Sequence, residues 1–133
     1  MSGALIYSLE LARKLNARII ILYIVALDVY DYRLPDDIVN DIVFYANNGL
    51  EKSVEKIKLN LSMGQRKPRV IINIEKINGP NYGITISEYA KKNEIDLIII
   101  QRHNRGSIER FFIGSVTEFL IEEAQCSVLA LPP

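Results

Sequence analysis

Apolar positions along this chain follow two alternating periods. Residues 4 to 16 carry Leu5, Leu9 and Ala12 at helical spacing, which predicts a helix with one apolar face. Ile19 to Val25 is a continuous, mostly β-branched run, the pattern of a strand buried on both faces. Asp28 to Asp37 contains Pro35 and reads as a loop. From residue 36 to 62, Ile42, Ala46, Leu50, Val54, Ile57 and Leu61 keep helical phase across Asn47-Asn48-Gly49. That phase predicts one long helix, with a bend as the cost of the interruption. Val70 to Ile74 reads as a shorter, edge-like strand because Asn73 interrupts it. Asn78-Gly79-Pro80-Asn81 is a turn. A short helix with Ile86, Tyr89 and Ala90 inward comes next, then a strand at 97–100, a polar loop, a helix at 115–124 and a strand at 128–131.

Strands separated by helices imply right-handed crossovers and an open parallel sheet with helices on both faces, an α/β fold. No repeat, low-complexity tract or linker divides the 133 residues, so residues 1–133 read as a single domain. Apolar residues make up 49% and charged residues 24%, enough apolar surface for a core and too much for disorder. Net charge is zero, so no global field favours nucleic acid or an anionic membrane surface as partner. The longest apolar run, beginning at Ile19, is far too short to span a bilayer, and the first residues lack the pattern of a secretion signal. With Cys126 the lone cysteine, a disulfide framework is excluded. These features predict a cytoplasmic protein.

The chemistry concentrates in one stretch. After the strand Leu97-Ile98-Ile99-Ile100 come Gln101-Arg102-His103-Asn104, nine further residues, and Gly114-Ser115-Val116-Thr117 at the start of a helix. A strand that empties into a polar loop and then a helix N-terminus is a geometry that holds phosphate. The stretch resembles the signature of the universal stress protein family: a Gly, two residues, a Gly, nine residues, then Gly-Ser or Gly-Thr. The spacing fits, while Gln101 and Asn104 replace the first two glycines.

The resemblance extends over nearly the whole chain. Ala4 to Ala17 resembles the family's first helix, Ile19 to Val25 its second strand, and Ala124 to Leu129 its closing segment. It implies a fold of the universal stress protein, adenine nucleotide alpha hydrolase-like type, with strand order 3-2-1-4-5. Family members open with a central strand and an Asp that approaches the adenine. Here the helical pattern starts within a few residues of Met1, so the first, central strand is expected to be missing from this chain. A rearranged sheet, a strand from another chain, or residues upstream of Met1 would fill its place. Without one, the 133 residues are expected not to form a complete five-stranded sheet.

Two readings stand for Gly114-Ser115. One is an anion site, since Gly permits close approach and the helix N-terminus offers free N–H donors. The other is a capping box in Ser115-Val116-Thr117-Glu118, with Ser115 as N-cap and no ligand at all. Asn104 tolerates a left-handed conformation almost as a glycine does. Gln101 narrows the space at the strand end or offers its amide to a ligand. Arg102, Arg105 and Arg110 suit phosphate, and equally suit a solvated loop with Glu109 as local partner. His103 has no evident catalytic partner and reads as a loop histidine. Cys126 reads as a small apolar residue. Asp28, Tyr30, Asp31, Tyr32, Asp36 and Asp37 crowd the loop after the second-strand run, where the tyrosines stack on a ligand or, as favoured, pack on the sheet edge.

The resemblance implies a non-catalytic stress-response sensor or regulator, with at most slow ATP hydrolysis. The matching positions are Val25 beside the base, Ile100, Gln101, Arg102, His103 and Asn104 around ribose and phosphates, and Gly114, Ser115, Val116 and Thr117 at the phosphates. ATP or AMP is expected to bind weakly, and no metal is expected. A homodimer through the last strand, Ser127, Val128, Leu129, Ala130 and Leu131, is implied by the family and invited by an apolar sheet edge. The alternative is a nucleotide-independent dimeric interaction protein that kept the scaffold and lost the pocket. A hydrolase or transferase of a related fold is disfavoured, because neither a nucleophile–base pair nor a Gly-x-x-x-x-Gly-Lys loop is present.

Overall fold

The structure is a computed structural model that describes residues 3–29, 32–60, 67–79, 81–101 and 114–132. It divides into two compact units, Met1–Pro80 and Asn81–Pro133.

The first unit opens with α1 (Gly3–Leu15), whose buried stripe is Ser8, Leu9 and Ala12. The Ser8 hydroxyl is satisfied by donating to the Ala4 carbonyl at 2.6 Å, so its burial leaves no orphan group. Asn16 ends the helix at φ 54°, in the left-handed region that Asn tolerates. The Asn16 N–H bonds the Arg13 carbonyl and the Ala17 N–H bonds that of Ala12, the paired closure of a Schellman motif.

The chain then enters β1 (Arg18–Ala26), which pairs in parallel with β4 (Arg69–Ile77) over nine residues, from Arg18 opposite Arg69 to Ala26 opposite Ile77. β4 runs longer than the edge-like 70–74 expected. Asn73 causes no break, because its amide donates to Glu75 at 2.9 Å and its backbone stays in the ladder. Burial on both faces of β1 is not found. Among the described residues β1 has a neighbour on one edge only, Tyr23 is exposed and Val25 alone is fully buried.

The expected loop at 28–37 contains a small antiparallel hairpin, β2 (Asp28–Val29) with β3 (Tyr32–Arg33). Two-residue strands give no period to read, which is why the sequence shows only polarity and Pro35 here. The hairpin is tied down by the Leu34 N–H on the Leu27 carbonyl and by Arg33 donating to Asn78 at 2.9 Å.

From the N-cap Pro35, α2 (Asp36–Leu59) continues unbroken through Asn47-Asn48-Gly49. The Asn47 amide donates to Glu51 one turn on, at 3.1 Å, so a residue prone to leave the helix is held inside it. Val39, Val54 and Ile57 form the buried stripe, and Asp36 and Asp37 sit at the N-terminus where the helix dipole favours negative charge.

The second unit holds α3 (Tyr82–Lys92), β5 (Leu97–Gln101), α4 (Ser115–Glu123) and β6 (Ser127–Leu131). β5 and β6 pair in parallel, from Leu97 opposite Ser127 to Gln101 opposite Leu131. Leu120, with no exposure, and Ala90 are the buried apolar centre. A methyl group on Gly83 would lie 2.6 Å from the Phe119 ring, so that glycine sets how closely α3 approaches α4.

Two backbone conformations in this unit are strained for ordinary side chains. Glu94 sits at φ 53° after α3 and closes a second Schellman motif, its N–H on the Lys91 carbonyl and the Ile95 N–H on that of Ala90. Gly114 sits at φ 95°, ψ 145° as the N-cap of α4. Ser115 is therefore the first helical residue, and the capping box with Ser115 as N-cap is not formed. The cap shifts by one residue because only glycine enters this backbone region without penalty.

Glu94→Gly should raise stability by about 0.5–1 kcal/mol, since relief of the left-handed strain exceeds the added freedom of the unfolded chain. Urea unfolding that shows an unchanged or lowered midpoint would contradict it. Gly114→Ala should lower stability by about 1–3 kcal/mol, although a methyl group there meets no atom. An unchanged midpoint with an unchanged slope would show that the turn relaxes at no cost.

Candidate functional site

Each unit offers the carboxyl ends of a parallel pair, the place where α/β sheets bind ligands. In the first unit β1 and β4 end level, and the Leu27 N–H bonds the Ile77 carbonyl at 2.8 Å. Val25 lies one residue inside this rim, buried at 4% exposure. It can supply an apolar wall, but its side chain carries no polar group. The hairpin rises next to it and holds Asp28. Tyr32 on β3 is 78% exposed, so the expected packing of this ring on the sheet edge is not found. Its phenol stands in solvent. Tyr30 and Asp31 lie outside the described residues.

In the second unit β5 delivers Ile100 and Gln101 to the rim. Both are half-buried. The Gln101 amide donates to the Pro132 carbonyl at 3.2 Å, just past the end of β6. That bond directs the side chain along the sheet edge and ties the ends of the two strands together. It was not foreseeable from the sequence, since it joins residues 31 positions apart.

α4 begins at Gly114, with Ser115 exposed, Val116 half-buried and Thr117 buried at 4% exposure. Thr117 and Leu120 share the inward face one turn apart. Among the described residues no side chain caps the first N–H groups of the helix, and the Gly114 carbonyl accepts from the Glu118 N–H at 3.0 Å. Donors at a helix N-terminus, next to a residue without a side chain, can hold an anion. Glu118 in that first turn stabilises the helix dipole and competes with an incoming negative charge.

Of the expected site residues, Ile100, Gln101, Gly114, Ser115, Val116 and Thr117 belong to the second unit and Val25 to the first. Arg102, His103 and Asn104, with Arg105 and Arg110, lie outside the described residues. Cys126, half-buried beside β6, is a free thiol. Among the described residues no group of three His, Cys, Asp or Glu side chains is arranged to hold a metal ion. No described helix is long and apolar enough to cross a membrane.

No curated protein matches the chain. Its fold is similar to that of the universal stress protein UspA from Lactobacillus plantarum, with a TM-score of 0.74 and 22% identity, over 97% of this chain and 87% of that one. It is also similar to a protein of the universal stress protein family from Burkholderia pseudomallei, with a TM-score of 0.62 and 23% identity, over 98% of this chain and 85% of that one. At such identities the likeness establishes the fold alone. The sequence model of the universal stress protein family matches residues 3–132, and the chain belongs to that family.

Proposed function

We propose that this protein is a non-catalytic stress-response regulator that binds an adenine nucleotide weakly and acts as a homodimer. The observation that carries the nucleotide reading is the start of α4. Gly114 holds a backbone conformation that favours glycine, no side chain among the described residues caps the helix, and Ser115 is exposed in its first turn. Phosphates at these N–H groups, with the loop cations Arg102, Arg105 and Arg110 near them in sequence, would complete the site.

Weak binding follows from two features. Glu118 opposes an anion at the helix end. Gln101 fills the strand end with a side chain already engaged by Pro132. That engagement also favours the second reading, a dimeric interaction protein that binds no nucleotide. The dimer reading rests on β6, an apolar strand that among the described residues has β5 on one edge and nothing on the other.

Calorimetry with ATP should give a Kd above the micromolar range. Replacing Gln101 and Asn104 by glycine should tighten binding about ten- to a hundredfold, the equivalent of one charge-assisted hydrogen bond. Submicromolar affinity in the parent would overturn the weak site. No heat with either protein would leave the interaction reading in its place. For the dimer, Leu129→Pro removes a β6 ladder donor and should shift the assembly toward smaller species in sedimentation. A parent that sediments as a monomer at micromolar concentration would exclude it.

A further inference from the structure

The outward face of α2 is apolar where a surface helix is normally charged. Phe44 is 61% exposed, Tyr45 72% and Leu59 79%, and the rings of Phe44 and Tyr45 meet edge to face at 5.6 Å. This face is opposite the stripe of Val39, Val54 and Ile57 that packs inward. With about 3.6 residues per turn, Ile38, Asp41, Tyr45, Lys52, Lys56 and Leu59 fall on one strip about 60° wide. The strip runs nearly the whole length of a helix about 36 Å long.

The order along that strip is self-complementary. Reversed about a point between Asn48 and Gly49, Ile38 falls on Leu59, Asp41 on Lys56 and Tyr45 on Lys52. Those matches are apolar on apolar, acid on base, and aromatic ring on cation. The larger charge pattern agrees. The first half of α2 carries Asp36, Asp37 and Asp41 with no base, and its last turn carries Lys56 and Lys58. The helix dipole accounts for a few such charges at each end. It does not account for exposed aromatic and aliphatic residues alternating with them in mirrored order.

We propose that the outward face of α2 is an interaction surface for a second copy of this chain, with the two α2 helices antiparallel across a two-fold axis near Asn48. A two-fold contact must be complementary to itself, which this strip is. Tyr45 and Phe44 lie near the centre of the contact, where aromatic anchors contribute most. Glu51 and Glu55 flank the strip and leave its acid–base pairs at the rim, where they set the direction of pairing more than its strength. The surface is independent of the β6 edge and of any nucleotide. A chain that uses both surfaces forms assemblies larger than a dimer.

Single-cysteine variants in a Cys126→Ser background test the geometry. Asn48→Cys should form a covalent dimer on mild oxidation, because the axis brings that position beside its own copy. Ile38→Cys should not, since antiparallel pairing separates the two copies of residue 38 by about 30 Å along the helix. Asp41→Lys should weaken self-association at least about tenfold, and adding Lys56→Asp should restore it. Ile38, Asp41 and Lys56 are exposed and Asn48 is half-buried, and circular dichroism checks that each variant is folded. Repeating the Asn48→Cys experiment with Leu129→Pro present should leave the crosslink intact, which separates this surface from the β6 edge. No crosslink at residue 48, equal crosslinking at 38 and 48, or charge reversals that add instead of compensating would each overturn the proposal.

Discussion

A parallel ladder cannot be closed by a tight turn, and the rest of this architecture follows from that constraint. The nine-residue pairing of β1 with β4 needs a connection that returns the chain to the starting end of the sheet. α2 is that connection, and its 24 residues are long because the strands it serves are long. The same requirement places α4 between β5 and β6. Each crossover helix then starts near the carboxyl end of a strand, with its positive dipole end toward that rim. The helix N-terminus at Gly114 is thus a by-product of parallel pairing, adjusted by one glycine.

The sequence carried the long elements well. Within α2, Ile42, Ala46, Leu50, Val54 and Ile57 in helical phase outweighed the Asn-Asn-Gly interruption, because phase sums over many residues while the propensity penalty is local. It carried the short ones poorly. The hairpin of β2 with β3 rests on two ladder steps, the local bond of Leu34 to Leu27 and the long-range bond of Arg33 to Asn78, none of which leaves a periodic trace. The length of β4 was hidden by Asn73, whose polarity is answered by Glu75 two residues on. The half-burial of β1 was unreadable because apolar composition reports what a strand can bury, and its neighbours decide what it does bury.

The candidate site shows the same division. Strand, loop and helix start were legible as a unit because their spacing is local. The identity of the cap was not, since Gly114-Ser115 permits either residue to cap and only the backbone angle decides between them. The partner of Gln101 was not either, because Pro132 meets it through the register of β5 with β6. A glutamine in place of a glycine therefore has a structural use at the strand end, whatever it does to a ligand.

The spacing of the two ladders has a consequence for how the molecule folds. Arg18 and Arg69, the first partners of β1 and β4, are 51 residues apart, while Leu97 and Ser127 are 30 apart. Loop-closure entropy grows only with the logarithm of loop length, so this difference is worth about 0.5 kcal/mol, less than thermal energy. Neither pair gains a head start from chain connectivity. Both wait on a non-local encounter, the kind that places mixed α/β domains well behind helical bundles in folding rate. A crossover helix that forms ahead of its ladder would replace a floppy connection by a short rod, and α2, at 24 residues, has the length for it, whereas α4, at nine, does not. Because all of the mirrored strip on α2 is local in sequence, it needs neither ladder to take shape.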